Sequence, residues 1–180
     1  MDREIEVHID WNGATRPVGR LWARAKVARQ ACSFAYDPAC SALTAPGDAA
    51  QLSRHMVFNV LISNTDDHLR NHGFLRDPGG WRLSPACDLN PMPADVKPRV
   101  HALALDEIDQ DASLDIVLRV ARYFRLGAIE ARTIVKEVGD AVAAWREVAA
   151  HQGLTANQID RMASAFEHDD LSAARTASVS

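Results

Sequence analysis

Apolar and polar positions alternate at the start of the chain, with Ile5, Val7 and Ile9 set between Glu6 and His8, and Asn12-Gly13 follows Trp11. That pattern predicts a strand entering a tight hairpin turn, with Val18 and Leu21 on the returning strand. Trp22 to Ala31 is expected as a short helix or loop, and Ser33-Phe34-Ala35-Tyr36 as a further short strand stopped by Asp37-Pro38. Breakers then cluster from Thr44 to Asp48. Asp48 stands three residues before Gln51, which predicts a capping box opening a helix that runs to about Ser63. Phe74-Leu75 and Trp81-Arg82-Leu83 flank Asp77-Pro78-Gly79-Gly80 and predict a hairpin ended by Ser84-Pro85.

Beyond a loop punctuated by Pro91, Pro93 and Pro98, three helical stripes follow. The first carries Leu114, Val117, Leu118, Ala121 and Phe124 and is expected to stop at Gly127. The second carries Ala131, Ile134, Val135, Val138, Val142, Trp145 and Val148 and is expected to stop at Gly153. The third opens with Thr155 and Gln158 as a capping box and buries Ile159, Met162 and Phe166. The predicted class is α+β, mostly α. A small β-rich segment over 1–44 precedes a helical unit over 48–168, and an Ala- and Ser-rich tail over 169–180 is expected to fray.

Composition narrows this picture little. The chain has 180 residues, 47% hydrophobic and 24% charged, enough for one domain with a core, or a small lobe and a larger one. A net charge of −4 argues against a dominant nucleic-acid footprint, and Arg20, Arg24, Lys26 and Arg29 read as a solvated face, with a local anion site as the alternative. Cys32, Cys40 and Cys87 form an odd set with no CxxC pair, which suggests neither a disulfide framework nor a structural zinc site. With no leader-like start and no membrane-length apolar run, a soluble cytoplasmic protein with no membrane partner is expected.

One stretch departs from the economy of the rest. Asn64-Thr65-Asp66-Asp67-His68-Leu69-Arg70-Asn71 packs carboxylates, a histidine, an arginine and carboxamides directly after the apolar Met56, Val57, Val60, Leu61 and Ile62. Such clusters are costly unless they bind something. Asp66 and Asn71 stand five positions apart, the Asp-to-Asn spacing of a protein-kinase catalytic loop. There an aspartate orients the attacking hydroxyl, and an oxygen ligand a short loop away holds Mg²⁺. A hairpin and then Asp88 follow, in the order in which a kinase presents its second metal carboxylate. Asp88 reads equally as a turn residue within Cys87-Asp88-Leu89-Asn90-Pro91. His68 is a phosphate-side or structural histidine, and Arg70 a phosphate neutraliser or a surface partner of Asp67. His55 and His101 lie outside this spacing and read as packing or surface residues, and Cys87 as a buried small side chain.

The run Phe58-Asn59-Val60-Leu61-Ile62-Ser63-Asn64-Thr65-Asp66-Asp67-His68-Leu69-Arg70-Asn71, with Leu83-Ser84-Pro85-Ala86-Cys87-Asp88-Leu89-Asn90-Pro91 after it, resembles the C-terminal lobe of the HipA family of serine/threonine kinases, the toxins of bacterial type II toxin–antitoxin pairs. Ala144-Trp145-Arg146 looks like that lobe's end. Val18-Gly19-Arg20-Leu21 and Ser33-Phe34-Ala35-Tyr36-Asp37 look like the family's N-terminal segment. The resemblance implies a protein-kinase-like helical lobe, Mg²⁺ and ATP as cofactors, Asp66 as catalytic base and Asn71 and Asp88 as Mg²⁺ ligands. It also places His68, Arg70, Asn71 and Asp88 on the nucleotide side.

Two departures accompany it. Cys87 stands where the family usually carries an aromatic residue. Between Tyr36 and Asp48, where the family has a long region with its nucleotide-phosphate loop, ATP-contacting lysine and hinge, this chain has only about a dozen residues. No GxGxxG, Walker-type or V-A-I-K pattern is present, and the three lysines are Lys26, Lys97 and Lys136. Losing those elements costs several powers of ten in phosphoryl transfer. The resemblance therefore implies a kinase acting on a protein serine, with its missing lobe supplied in trans. The alternative is a catalytically inactive, truncated module that binds a helix-turn-helix antitoxin or a full-length kinase. DNA would be met only through the antitoxin. A third class, a metal-dependent phosphohydrolase built on Asp66, Asp67, His68 and Asp88, predicts Mn²⁺- or Mg²⁺-dependent phosphoester turnover.

Overall fold

In a computed structural model, residues 2–11, 14–26, 29–36, 47–77, 80–102, 105 and 111–179 are described. Chain contacts divide the molecule into two compact units, Met1–Pro46 with Phe74–Leu83, and Gly47–Gly73 with Ser84–Ser180. The mostly helical α+β class holds.

The first unit contains an antiparallel meander, β1 (Asp2–Trp11), β2 (Ala14–Lys26) and β3 (Arg29–Tyr36), paired in chain order. Ile5 faces Leu21, as alternation requires, and the register shifts between Val7 and His8, where Gly19 and Pro17 stand opposite. Proline has no N–H to give a ladder, so an irregularity is the expected accommodation. The helix or loop expected over Trp22–Ala31 is instead strand up to Lys26 and again from Arg29. Its residues pair in register from Trp22↔Ser33 to Lys26↔Arg29, so cross-strand pairing overrode local propensity. Arg20 lies opposite Glu6 and reaches Glu4 at 3.0 Å, so this member of the basic face is already paired. The expected turn at Asn12-Gly13 and the stop at Asp37-Pro38 lie outside the described residues. The hairpin β4 (Phe74–Asp77) and β5 (Gly80–Leu83) forms as its sequence predicts.

The second unit is built on α1 (Asp48–Leu61), α2 (Leu114–Val120), α3 (Ala128–Ala143), α4 (Trp145–His151), α5 (Ala156–Arg161), α6 (Ala163–Phe166) and α7 (Asp169–Thr176). Val57, Val60 and Leu61 of α1 meet Ile116 and Val117 of α2, Ile134, Val135 and Val142 of α3, and Leu171 and Ala174 of α7 in one core. Among the described residues no helix is long and apolar enough to cross a membrane.

Several expectations here are corrected. α1 takes Gly47 (φ +92°) as its N-cap with no side-chain cap bond, so Asp48 lies inside the first turn and does not open a capping box. The first stripe tightens into a 3₁₀ turn over Ala121–Phe124 and ends at Arg125 (φ +59°), and Gly127 begins the next helix, bonded to Glu130. The second stripe breaks at Ala144, which leaves Val148 55% exposed, while Trp145 stacks on Phe166 with ring centroids 4.4 Å apart. The Thr155–Gln158 capping box forms as predicted. The tail does not fray. His168 caps α7, and Leu171 and Ala174 bury their small apolar side chains against the core. Gly139 of α3 makes room for it, since a Cβ there would meet the Ala174 Cβ at 2.7 Å.

Candidate active site

The polar run begins where α1 stops. Ser63 N–H bonds to the Val60 carbonyl (3.2 Å) and Asn64 N–H to the Asn59 carbonyl (2.8 Å), the bond pair of a Schellman turn with Ser63 at the left-handed position (φ +53°). Glycine is the usual occupant. Serine is held here because its buried hydroxyl donates to the Ala165 carbonyl (2.9 Å) and accepts from Arg99 Nε (3.0 Å). Asn64, also buried, repeats the backbone turn with its side chain. Its Nδ2 donates to Asn59 Oδ1 at 3.0 Å and to the Asp88 carbonyl, 24 residues further on, at 3.1 Å.

The next residues separate two neighbouring carboxylates. Asp66 is exposed, whereas Asp67 is 2% exposed. A buried carboxylate needs a partner, and Asp67 Oδ1 has one in His72 Nε2 at 2.9 Å. The backbone is pinned by Ala102 N–H to the Thr65 carbonyl (3.0 Å), which brings the buried His101 beneath the run. Burial is the largest cause holding His101 below its ordinary pKa, with Asp67 pulling the other way. His55 is likewise lowered, first by burial and then by His72, against Asp67. His101 is thus an interior residue and His55 a half-buried one, both in the electrostatic reach of Asp67.

A 3₁₀ turn over Leu69–Asn71 closes the run through Asn71 N–H to the His68 carbonyl (2.8 Å). Asn71 is buried, and its Nδ2 has no hydrogen-bond partner among the described residues, nor have His68 Nδ1, Thr65 Oγ1 or either His101 ring nitrogen. The Asn71 carbonyl accepts from Cys87 Sγ at 3.4 Å. The residue after that cysteine is Asp88, exposed and left-handed (φ +57°), whose Oδ1 accepts from Asn90 Nδ2. Asn64 and Cys87 therefore join the 64–71 run to the 87–90 loop from two sides.

Of the two alternatives for Arg70, the surface pairing with Asp67 does not form. Asp67 is buried on His72, and Arg70 is exposed with no ion pair among the described residues. Cys87 is exposed, not buried. Among the described residues no three His, Cys, Asp or Glu side chains converge to hold a metal. Sequence reasoning missed the Asp67–His72 pair, the Asn59–Asn64 pair and Arg99. The polar run 64–71 stood out in the sequence, Asn64 within it, but the partners Asn59, His72 and Arg99 carried no local signal.

Residues 26–145, two thirds of the chain, match the HipA-like C-terminal domain. No curated protein and no solved structure matches the chain.

Proposed function

The chain belongs to the HipA family, and on that premise we propose that it is a serine/threonine protein kinase module transferring phosphoryl from Mg·ATP to a protein serine. Asp66 serves as base, and a separate polypeptide supplies the missing nucleotide lobe. The observation that carries this reading is the two-sided tie between the run containing Asp66 and Asn71 and the loop containing Asp88.

Exposed Asp66 is accessible to a protein hydroxyl, whose proton it would accept as the oxygen attacks phosphorus. Asn71 and Asp88 supply a carboxamide and a carboxylate, too few for an all-protein cage but suited to Mg²⁺, which keeps waters and takes its remaining ligands from phosphates. Asn71 would ligate through its carboxamide oxygen, while its Nδ2, which lacks a partner among the described residues, is a donor suited to a phosphate oxygen beside the cation. Bound Mg²⁺ supplies neutralisation of phosphate charge. His68, whose buried Nδ1 has no partner among the described residues, and the exposed guanidinium of Arg70 would line the nucleotide side.

A second reading rests on the short connector between Tyr36 and Asp48 and on a sequence with no Gly-rich phosphate-loop motif and no V-A-I-K pattern. In it the chain is an inactive binding module for a helix-turn-helix antitoxin or a full-length kinase. Calorimetric titration of Mg·ATP into the chain, alone and mixed with the product of the adjacent gene, separates the two. Binding that Asp88→Ala abolishes supports the kinase. Absence of binding in both mixtures, with co-purification of a DNA-binding partner, supports the module.

A further inference from the structure

The buried Asn64 carboxamide belongs to no catalytic role described above, yet it makes contacts in two directions. One of its N–H groups donates to Asn59 Oδ1 on the last turn of α1, and the other to the Asp88 carbonyl. Both donors of the amide are therefore spent, one on the rigid helix and one on the loop. Asp88 holds a left-handed backbone (φ +57°), a conformation costly to most L-residues that Asp visits more readily than most and that a bond fixing its carbonyl helps to select. Its carboxylate is held separately by Asn90 Nδ2.

We propose that Asn64 is a positioning residue for the divalent-cation ligand. By fixing the Asp88 carbonyl to the C-terminal turn of α1, it keeps Asp88 left-handed and its side chain aimed consistently from the loop. The orienting effect passes through backbone, so Asn64 need touch neither cation nor nucleotide. Asn59 acts as the anchor, because its Oδ1 holds the amide in the orientation that presents the second N–H to Asp88. This inference rests on the kinase reading for the consequence at the cation, but not for the conformation of Asp88.

The test has two arms. In metal-free protein, ¹³C backbone shifts of residues 87–90 report the Asp88 conformation. Asn64→Ala and Asn64→Asp are expected to move Asp88 out of the left-handed region, while Ser63→Ala, which removes hydroxyl bonds from the same turn, leaves these shifts in place. Unchanged shifts in both Asn64 variants overturn the proposal whether or not a cation binds. In the second arm, Mn²⁺ is titrated with ATP present and followed by electron paramagnetic resonance. Asn64→Ala is expected to weaken Mn²⁺ on the order of tenfold, the equivalent of one lost hydrogen bond, and Ser63→Ala to change it less than twofold. An equal loss in both variants overturns the positioning role in favour of a general loss of fold. No Mn²⁺ binding by the wild-type chain, alone or with its adjacent gene product, overturns the kinase reading. The shift measurement then still decides the role of Asn64.

Discussion

Replacing Arg99 with alanine tests how the site-bearing turn is held. The guanidinium reaches three acceptors at once: Ser63 Oγ from Nε (3.0 Å), the Val60 carbonyl from Nη2 (3.1 Å) and Asp170 Oδ2 from Nη1 (2.8 Å). Two of these lie at the end of α1 and the third is in α7, so one side chain ties the two ends of the helical unit together. Arg99 and Asp170 are 21% and 18% exposed, too buried for solvent to screen the pair fully. Charged hydrogen bonds contribute ~1.5–3 kcal/mol each. Stripping a partner from a fully buried ion pair costs ~3–5 kcal/mol; this pair is only partly buried, and the Val60 carbonyl keeps Ser63 N–H and Asp170 keeps Leu114 N–H, so the loss falls at the lower end of that range. The expected loss is about 3 kcal/mol, which lowers Tm by roughly 6–12 °C at the scaling for a chain of this size. Urea unfolding followed by circular dichroism at 222 nm measures it. Arg99→Lys should recover little, since a point charge cannot span three acceptors. A loss under about 0.5 kcal/mol for Arg99→Ala, within the range of ordinary surface substitutions, would show that the fork holds nothing and refute the reasoning.

Further outcomes follow from individual contacts. Gly139→Ala should destabilise by ~1–3 kcal/mol from overpacking against Ala174, outweighing its ~1 kcal/mol gain in helix propensity, as thermal unfolding would register. Asp67→Ala should cost ~2–3 kcal/mol by orphaning His72, whereas exposed Asp66→Ala should leave the urea midpoint unchanged while abolishing the phosphoryl transfer proposed above. His55, His101 and His168 are each held below the usual histidine pKa of 6.5, burial being the largest cause, so the unfolded chain binds their protons more readily than the folded one. Their stability contribution is fully present above about pH 6.5 and is lost as pH falls through the depressed folded values. Urea midpoints from pH 8 to 5 should fall accordingly, and less steeply in His168→Gln.

The parts legible in the sequence are those whose cause is local. Alternation at Ile5, Val7 and Ile9 found β1, the capping box at Thr155 found α5, and the five-residue spacing of Asp66 and Asn71 singled out the run later matched within the family domain. What failed depended on distant partners. Trp22–Lys26 became strand because Ser33–Arg29 pair with it, and Asp169–Thr176 became helix because Gly139 leaves space for Ala174. The fate of Asp67 shows this most clearly. Nothing local distinguishes it from Asp66, yet His72 and the backbone pin at Ala102 turn one carboxylate inward and leave the other to solvent.

The end of α1 is where fold and site meet, and its two turn residues divide the work between them. Ser63 looks away from the site, toward Ala165 and Arg99, and through Arg99 to α7. Asn64 looks toward it, to Asp88. Because Ser63 is left-handed, glycine there would relieve about 1 kcal/mol of backbone strain, but it would also remove a buried hydroxyl making two hydrogen bonds, each worth roughly 1 kcal/mol. Retaining serine therefore favours anchorage over local comfort. Ser63→Gly should lower the urea midpoint despite relieving the strain, without moving the backbone shifts of Asp88. A midpoint raised by that substitution would mean that the links to Ala165 and Arg99 contribute less than the strain they oppose, and the separation of anchoring from positioning at this turn would fall.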